Sequence, residues 1–184
     1  MLKTKSRPLT RHDYQLLPDG GPQWQLVDGE FHMAPAPNRY HQDISRNLGY
    51  ILLCFLEEHP VGKLYFAPFD VYLGDINVVQ PDLLFFANDR LGHLTEAGAE
   101  GAPDLVVEGL SNRNAKLDRG PKKELYARFG ATELWLIDPN TPQVEAYRLQ
   151  DDAEVPHVTL RKHQTLTTPL FPDLEIPLEK VFRQ

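Results

Sequence analysis

The chain has 184 residues, a formal net charge of −7, 41% apolar residues and 24% charged ones. That apolar share suits one domain, residues 1–184, with a real hydrophobic core, and the charged share is the globular norm, which excludes wholesale disorder. The acidic balance excludes a broadly basic, nonspecific coat for nucleic acid, but not a local basic patch or an acidic site offset by a metal.

The single cysteine, Cys54, excludes an internal disulfide and points to a reducing compartment. It lies in an apolar helical stretch and reads as a buried, inert thiol. Met1 to Lys5 lead into no apolar run, so no signal peptide is expected. No stretch approaches the ~18 apolar residues of a membrane helix. The expectation is a soluble, cytoplasmic protein, loop-rich at both ends, where most of the 16 prolines cluster (Pro8 to Pro37, Pro156 to Pro177).

In chain order, Trp24 to Met33 reads as two short strands about the turn Asp28-Gly29, a strong hairpin dipeptide. A long amphipathic helix follows, from Tyr40 to Glu58, with Ile44, Leu48, Ile51, Leu52 and Phe55 on its buried face and His41 on that same face. Strands are expected over Leu64 to Leu73 and Val78 to Phe86, joined by a turn at residues 74–77. Leu91 to Pro103 reads as a loop or short helix. A third strand spans Asp104 to Leu110. Asp118 caps a second helix, with Pro121 in its first turn and Gly130 at its stop. Glu133 to Ile137 and Val144 to Leu149 are further strands, and Val158 to Phe182 suggests a last strand pair. The order α-β-β-β-α-β indicates a mixed α/β sheet.

Two acids interrupt apolar strands: Asp82 within Val78–Phe86, and Glu108 within Leu105–Leu110. A carboxylate among core residues costs several kcal/mol, roughly, unless it is paired or holds a cation. Each could instead point outward from an edge strand. A hard divalent cation such as Mg²⁺ satisfies both acids at once, because it prefers carboxylate oxygens and keeps several waters. Lys122 joins them: with Leu125, Tyr126 and Phe129 it falls on one helical face, core-side, while Lys123 is turned outward. The bland reading is a lysine whose stem merely covers apolar surface. From Arg113 to Arg128 six basic residues stand against two acidic ones, a local positive patch of the kind that grips phosphates. There is no HExxH, no Cys/His zinc pair, no GxSxG, no P-loop and no GxGxxG.

These motifs, in order, resemble the Uma-type restriction endonuclease family, a bacterial branch of the PD-(D/E)XK nuclease superfamily. The likeness runs through WQLVDGEF, MAPAPNRYHQDIS, APFDVYL, VVQPDLLFF, GAPDLVVEGLS, LDRGPKKELYARFGATELWLIDP and TPLFPDLEIPLEKVF. It implies a restriction-endonuclease-like (PD-(D/E)XK) core, a mixed sheet flanked by helices, here with an N-terminal hairpin and a C-terminal strand extension. It implies that Asp82 and Glu108 bind metal and act with Lys122 in catalysis. The usual lysine two residues after the glutamate would fall at Leu110, so Lys122 on the following helix takes that place. Where the family commonly has glutamate, this chain has Gln25. Gln25, His41 and Asp70 are supporting candidates, with Glu30 on weaker grounds.

The resemblance thus implies an Mg²⁺- or Mn²⁺-dependent endonuclease acting on nucleic acid, DNA foremost, with a homodimer as a plausible assembly. A second reading is a weak or inactive nuclease-fold protein that binds nucleic acid. A third, acid/base work on a glycoside, is disfavoured because no aromatic sugar platform stands near the acids and Lys122 would be idle.

Overall fold

The computed structural model describes residues 7–18, 20–34 and 36–184. The Met1 to Lys5 segment, and Pro35 of the proline cluster, lie outside them. Among the described residues no helix is long and apolar enough to cross a membrane.

A short helix, α1 (Arg11–Gln15), begins at a reciprocal capping box between Thr10 and Asp13. Strands β1 (Trp24–Val27) and β2 (Glu30–Met33) form the expected hairpin. Its two turn residues, Asp28 and Gly29, both have positive φ, as a tight hairpin turn requires. Helix α2 (Arg39–Glu58) is capped by the Asn38 side chain and buries Ile44, Leu48 and Leu52. Cys54 is exposed, which corrects the expectation of a buried thiol. It lies on the outward face, with the exposed side chains of Tyr50 and Leu53.

The two long strands expected next are each broken in two. β3 (Gly62–Phe66) and β4 (Val71–Tyr72) replace the first, and β5 (Val78–Val79) and β6 (Leu83–Ala87) the second. Pro68 and Pro81 sit in the breaks, where a residue without an N–H cannot continue a ladder. Each half then joins a different sheet. The segment read as a loop contains a 3₁₀ turn at Asn88–His93 and two small strands, β7 (Leu94–Thr95) and β8 (Gly98–Glu100). β9 (Leu105–Gly109) follows, then α3 (Ala115–Leu117), a wide π-type turn at Asp118–Lys122 and α4 (Lys123–Arg128). The chain ends with β10 (Glu133–Asp138), β11 (Gln143–Arg148), β12 (Val158–Arg161), β13 (Thr165–Leu166), β14 (Ile176–Pro177) and α5 (Leu178–Val181).

The central sheet has the order β12-β11-β10-β9-β6-β3, and a second sheet the order β2-β1-β5-β4-β8-β7. Within the central sheet only β9 and β10 are parallel, and the α3–α4 segment makes the crossover between them. Alternation divides that sheet's side chains between two layers. Leu83, Phe85, Leu105, Val107 and Trp135 pack with α2 and the C-terminal residues. Leu84, Phe86, Val106, Leu134 and Leu136 pack with α4 and the second sheet. Glu108, two residues after Val106, therefore faces α4.

Candidate active site

Glu108 is the buried acid of β9, 4% exposed. Lys122 Nζ lies 2.6 Å from its Oε1, and the Tyr126 hydroxyl donates to the same oxygen at 2.6 Å. Lys122 Nζ also pairs with Asp118 Oδ1 at 3.0 Å. Asp118, Lys122 and Tyr126 are spaced four residues apart, so they form one stripe along the helical segment and deliver their polar ends to Glu108. The π-type turn accommodates Pro121 within this segment.

Asp82 sits in the break before β6, not inside a strand as expected. The β6–β9 register pairs Leu83 with Val107, so one further step brings Asp82 opposite Glu108. Its Oδ2 accepts the Gly109 N–H at 2.7 Å, and His41 Nε2 lies 2.9 Å from the same atom. That His41 contact is off-line for a hydrogen bond, so the buried ring nitrogen has a charge neighbour but no directed partner. Gly109 makes the approach possible. A Cβ there would stand 2.7 Å from His41 Cε1, 2.8 Å from Nε2 and 3.2 Å from Asp82 Oδ2.

Burial pushes the Glu108 carboxyl up to about 8; Lys122 pulls it back, while the Asp118 and Asp82 charges add to the rise. Lys122 is held well above its ordinary value: burial alone would lower it, but Glu108 and Asp118 outweigh that. His41 is raised in the same way, with burial opposing and Asp82 foremost among the carboxylates that prevail.

These groups open onto one cleft of about 620 Å³. Of the residues anticipated, Asp82, Glu108, Lys122, Gln25 and His41 all line it. Gln25 is 5% exposed, and its Oε1 accepts the Gln80 backbone N–H at 3.1 Å. Asp70 does not line the cleft. Its carboxylate accepts from the Tyr14 and Tyr72 hydroxyls and from Gln80 Nε2, so it reaches the site only through Gln80. Glu30 is exposed on β2 and is not brought in either.

Three further expectations are corrected. Asp118 is a buried partner of Lys122 rather than a helix cap, because Ala115–Leu117 already winds the chain before it. Lys123 is buried rather than outward, with its ammonium 5.1 Å from the Tyr147 ring centroid. Phe129 is 38% exposed, because α4 ends at Arg128 and the chain turns away there. The positive patch is mostly neutralised within the protein. Arg119 pairs with Glu145, Lys123 with Glu154, Arg128 with Asp28, and Lys122 is enclosed. Arg113 and Lys116 have no acidic partner among the described residues, and Arg113 lines the cleft.

Residues 11–179 match the Uma2 family, described as a putative restriction endonuclease. The chain belongs to that family. A solved structure, a putative nuclease belonging to DUF820 from Anabaena variabilis, matches with a TM-score of 0.77 at 19% identity, covering 95% of this chain and 98% of that one. At that identity the likeness shows the fold alone. No curated protein matches. Leu110, two residues after Glu108, is 3% exposed among core residues. Asp118 and Tyr126 were not anticipated as site residues. The signal for them was the four-residue spacing around Lys122.

Proposed function

We propose that this Uma2-family chain is a divalent-metal-dependent endonuclease acting on nucleic acid, most readily DNA, with the metal held by Asp82 and Glu108. The observation that carries the reading is the state of the two carboxylates. Each uses one oxygen on the protein, and neither Asp82 Oδ1 nor Glu108 Oε2 has a hydrogen bond among the described residues. Both residues face the same cleft.

The donor set fits Mg²⁺ or Mn²⁺. Once a cation has displaced the Glu108 proton, Asp82, Glu108 and Asp118 against the Lys122 ammonium leave two negative charges, which one divalent cation cancels. No cluster of three or more His, Cys, Asp or Glu in metal-binding geometry occurs among the described residues. That suits a cation bound through one or two carboxylates and waters rather than a fully protein-built cage. When bound, the metal supplies an activated water and stabilises charge on the phosphate.

The chain's own residues set the geometry around that chemistry. Lys122 pairs with both Glu108 and Asp118, and it lines the cleft, where its ammonium would meet a water or a phosphate oxygen. His41 flanks Asp82, Gly109 fixes its Oδ2, and Arg113 offers a cation at the cleft wall for a neighbouring phosphate. A homodimer would supply the two sites that double-strand cutting needs.

A second reading, a binding-only descendant of a nuclease, is favoured by Gln25 in place of glutamate and by the self-paired basic residues. The glycoside reading loses further ground, since no Phe, Tyr or Trp side chain among the described residues lines the cleft. Incubation of plasmid and oligonucleotide DNA with Mg²⁺ or Mn²⁺ tests the assignment. Cleavage that stops with EDTA and with Glu108→Gln is expected; binding without cleavage under every metal gives the second reading.

A further inference from the structure

We infer that Asp118 and Tyr126 are positioning residues of this site: Asp118 acts through Lys122 and Tyr126 acts through Glu108, together presenting Glu108 Oε2 to the cleft. The inference rests on the metal-binding reading above.

Glu108 has a side chain with two equivalent oxygens and torsions that would otherwise turn freely. Two donors converge on Oε1 alone, the Lys122 ammonium and the Tyr126 hydroxyl, each at 2.6 Å. Both donors are themselves fixed. Tyr126 is 0% exposed and Lys122 1%. With Oε1 engaged by the Tyr126 hydrogen bond and the Lys122 ion pair, the carboxylate is oriented, and the oxygen it leaves without a protein donor is Oε2.

Asp118 decides where the lysine ammonium rests. It is 4% exposed and sits 3.0 Å from Lys122 Nζ, one helical step before it in the chain. A lone buried Lys–Glu pair would collapse into a fully matched contact, and the ammonium would then compete with an incoming cation for the carboxylate. Sharing the ammonium between two carboxylates keeps the pocket short of positive charge, so the cleft still attracts a divalent cation. Asp118 also faces the cleft, so the rival role is direct metal ligation.

Coupled substitutions separate these roles. Mn²⁺ affinity is measured by calorimetry on the full chain for Asp118→Asn, Lys122→Met and the double variant. Tyr126→Phe is paired in the same way with Glu108→Gln. Asp118→Asn and Tyr126→Phe are each expected to weaken Mn²⁺ binding by about 10- to 100-fold, the effect of one hydrogen bond to a charged group. In the double variants the second substitution should add less than about threefold, because each positioning residue has lost the group it acts through. Circular dichroism and thermal melts confirm that each variant is folded. Tyr126→Phe keeps the ring and its packing, so one arm survives even if Lys122→Met does not fold. Asp118→Asn costing the same with and without Lys122 makes Asp118 a ligand in its own right and overturns its assignment. Additive losses for Tyr126→Phe and Glu108→Gln do the same for Tyr126. A wild-type chain that binds no Mn²⁺ instead removes the metal-site reading itself.

Discussion

Glu108 and Asp82 stand opposite one another at the ends of neighbouring strands, yet they are held by different means. Glu108 is inside β9, only 4% exposed, and its partners are side chains brought by a helix from elsewhere in the chain. Asp82 sits in a strand break, its side chain 24% exposed, with a backbone N–H as its directed partner. A charge in the interior needs a countercharge as well as donors, and the Lys122 ammonium supplies it; a charge at the mouth keeps some water and needs only to be aimed. The buried acid should therefore govern stability and proton uptake, and the exposed one should govern geometry.

The strongest way to break that contrast is Lys122→Met. It leaves Glu108 and Asp118 buried without their cation. Loss of one partner from such a group costs about 3–5 kcal/mol, which urea unfolding would register. Asp82→Asn keeps an acceptor for the Gly109 N–H and should cost only about 1 kcal/mol. Equal losses in the two variants would mean that the two acids are held alike.

A pH series sharpens the same contrast. The folded chain holds the Glu108 proton up to about 8, whereas an unfolded carboxyl releases it near 4.5. Between those values the folded state binds more protons than the unfolded one, so this group's contribution is greatest below 4.5 and declines as pH rises through 8. The slope is bounded by about 1.4 kcal/mol per pH unit. Urea midpoints taken from pH 5 to 9 should fall, and Glu108→Gln should flatten the decline. Mn²⁺ affinity should run the opposite way, rising with pH, because binding expels the proton. A wild-type slope that persists in Glu108→Gln would assign the effect to another group.

At the mouth, Gly109→Ala tests the aiming of Asp82. The added methyl meets the His41 ring and the Asp82 oxygen at distances that force one of them to move. Overpacking of this kind costs about 1–3 kcal/mol. Cleavage should fall more than the melting temperature suggests, since Asp82 is displaced while Glu108 is not. A variant with normal cleavage would show that the Gly109 contact is packing only.

The two acids were legible in the sequence because carboxylates among Val, Leu and Phe are costly, and Lys122 because the helical period turns it inward. The hairpin at Asp28-Gly29 and the buried stripe of α2 were legible for similar local reasons. The strand breaks at Pro68 and Pro81 were not read, although the prolines were in view, because apolar runs continue across them. Lys123 was misplaced for a different reason. The ideal period of 3.6 turns it outward, but a wide π-type turn ends at Lys122 and Tyr147 of β11 offers its ring. The basic patch misled because charge pairing is tertiary: Glu145, Glu154 and Asp28 are remote in sequence from the residues they neutralise.

Gln25 carries the smallest expected effect and lies between the two regimes. It is buried, like Glu108, yet it is tied to backbone, like Asp82, through the bond from Gln80 N–H to Oε1. It lines the cleft, and its side-chain carbonyl oxygen is also engaged structurally. In Gln25→Glu one carboxylate oxygen keeps the Gln80 bond, and the other replaces the amide nitrogen with a negative acceptor. If that acceptor reaches a metal held by Asp82 and Glu108, Mn²⁺ affinity should rise by about 1–3 kcal/mol, the value of a charge-assisted contact. In apo protein the same change adds a further negative charge to a cleft already short of positive charge. Thermal stability should therefore drop without metal and recover with it. Calorimetry with wild type, Gln25→Glu and Glu108→Ala measures the first effect, and melts with and without Mn²⁺ measure the second. Unchanged affinity together with an unrecovered melt would leave Gln25 as a strand-to-strand tie, and the binding-only reading would lose its main support.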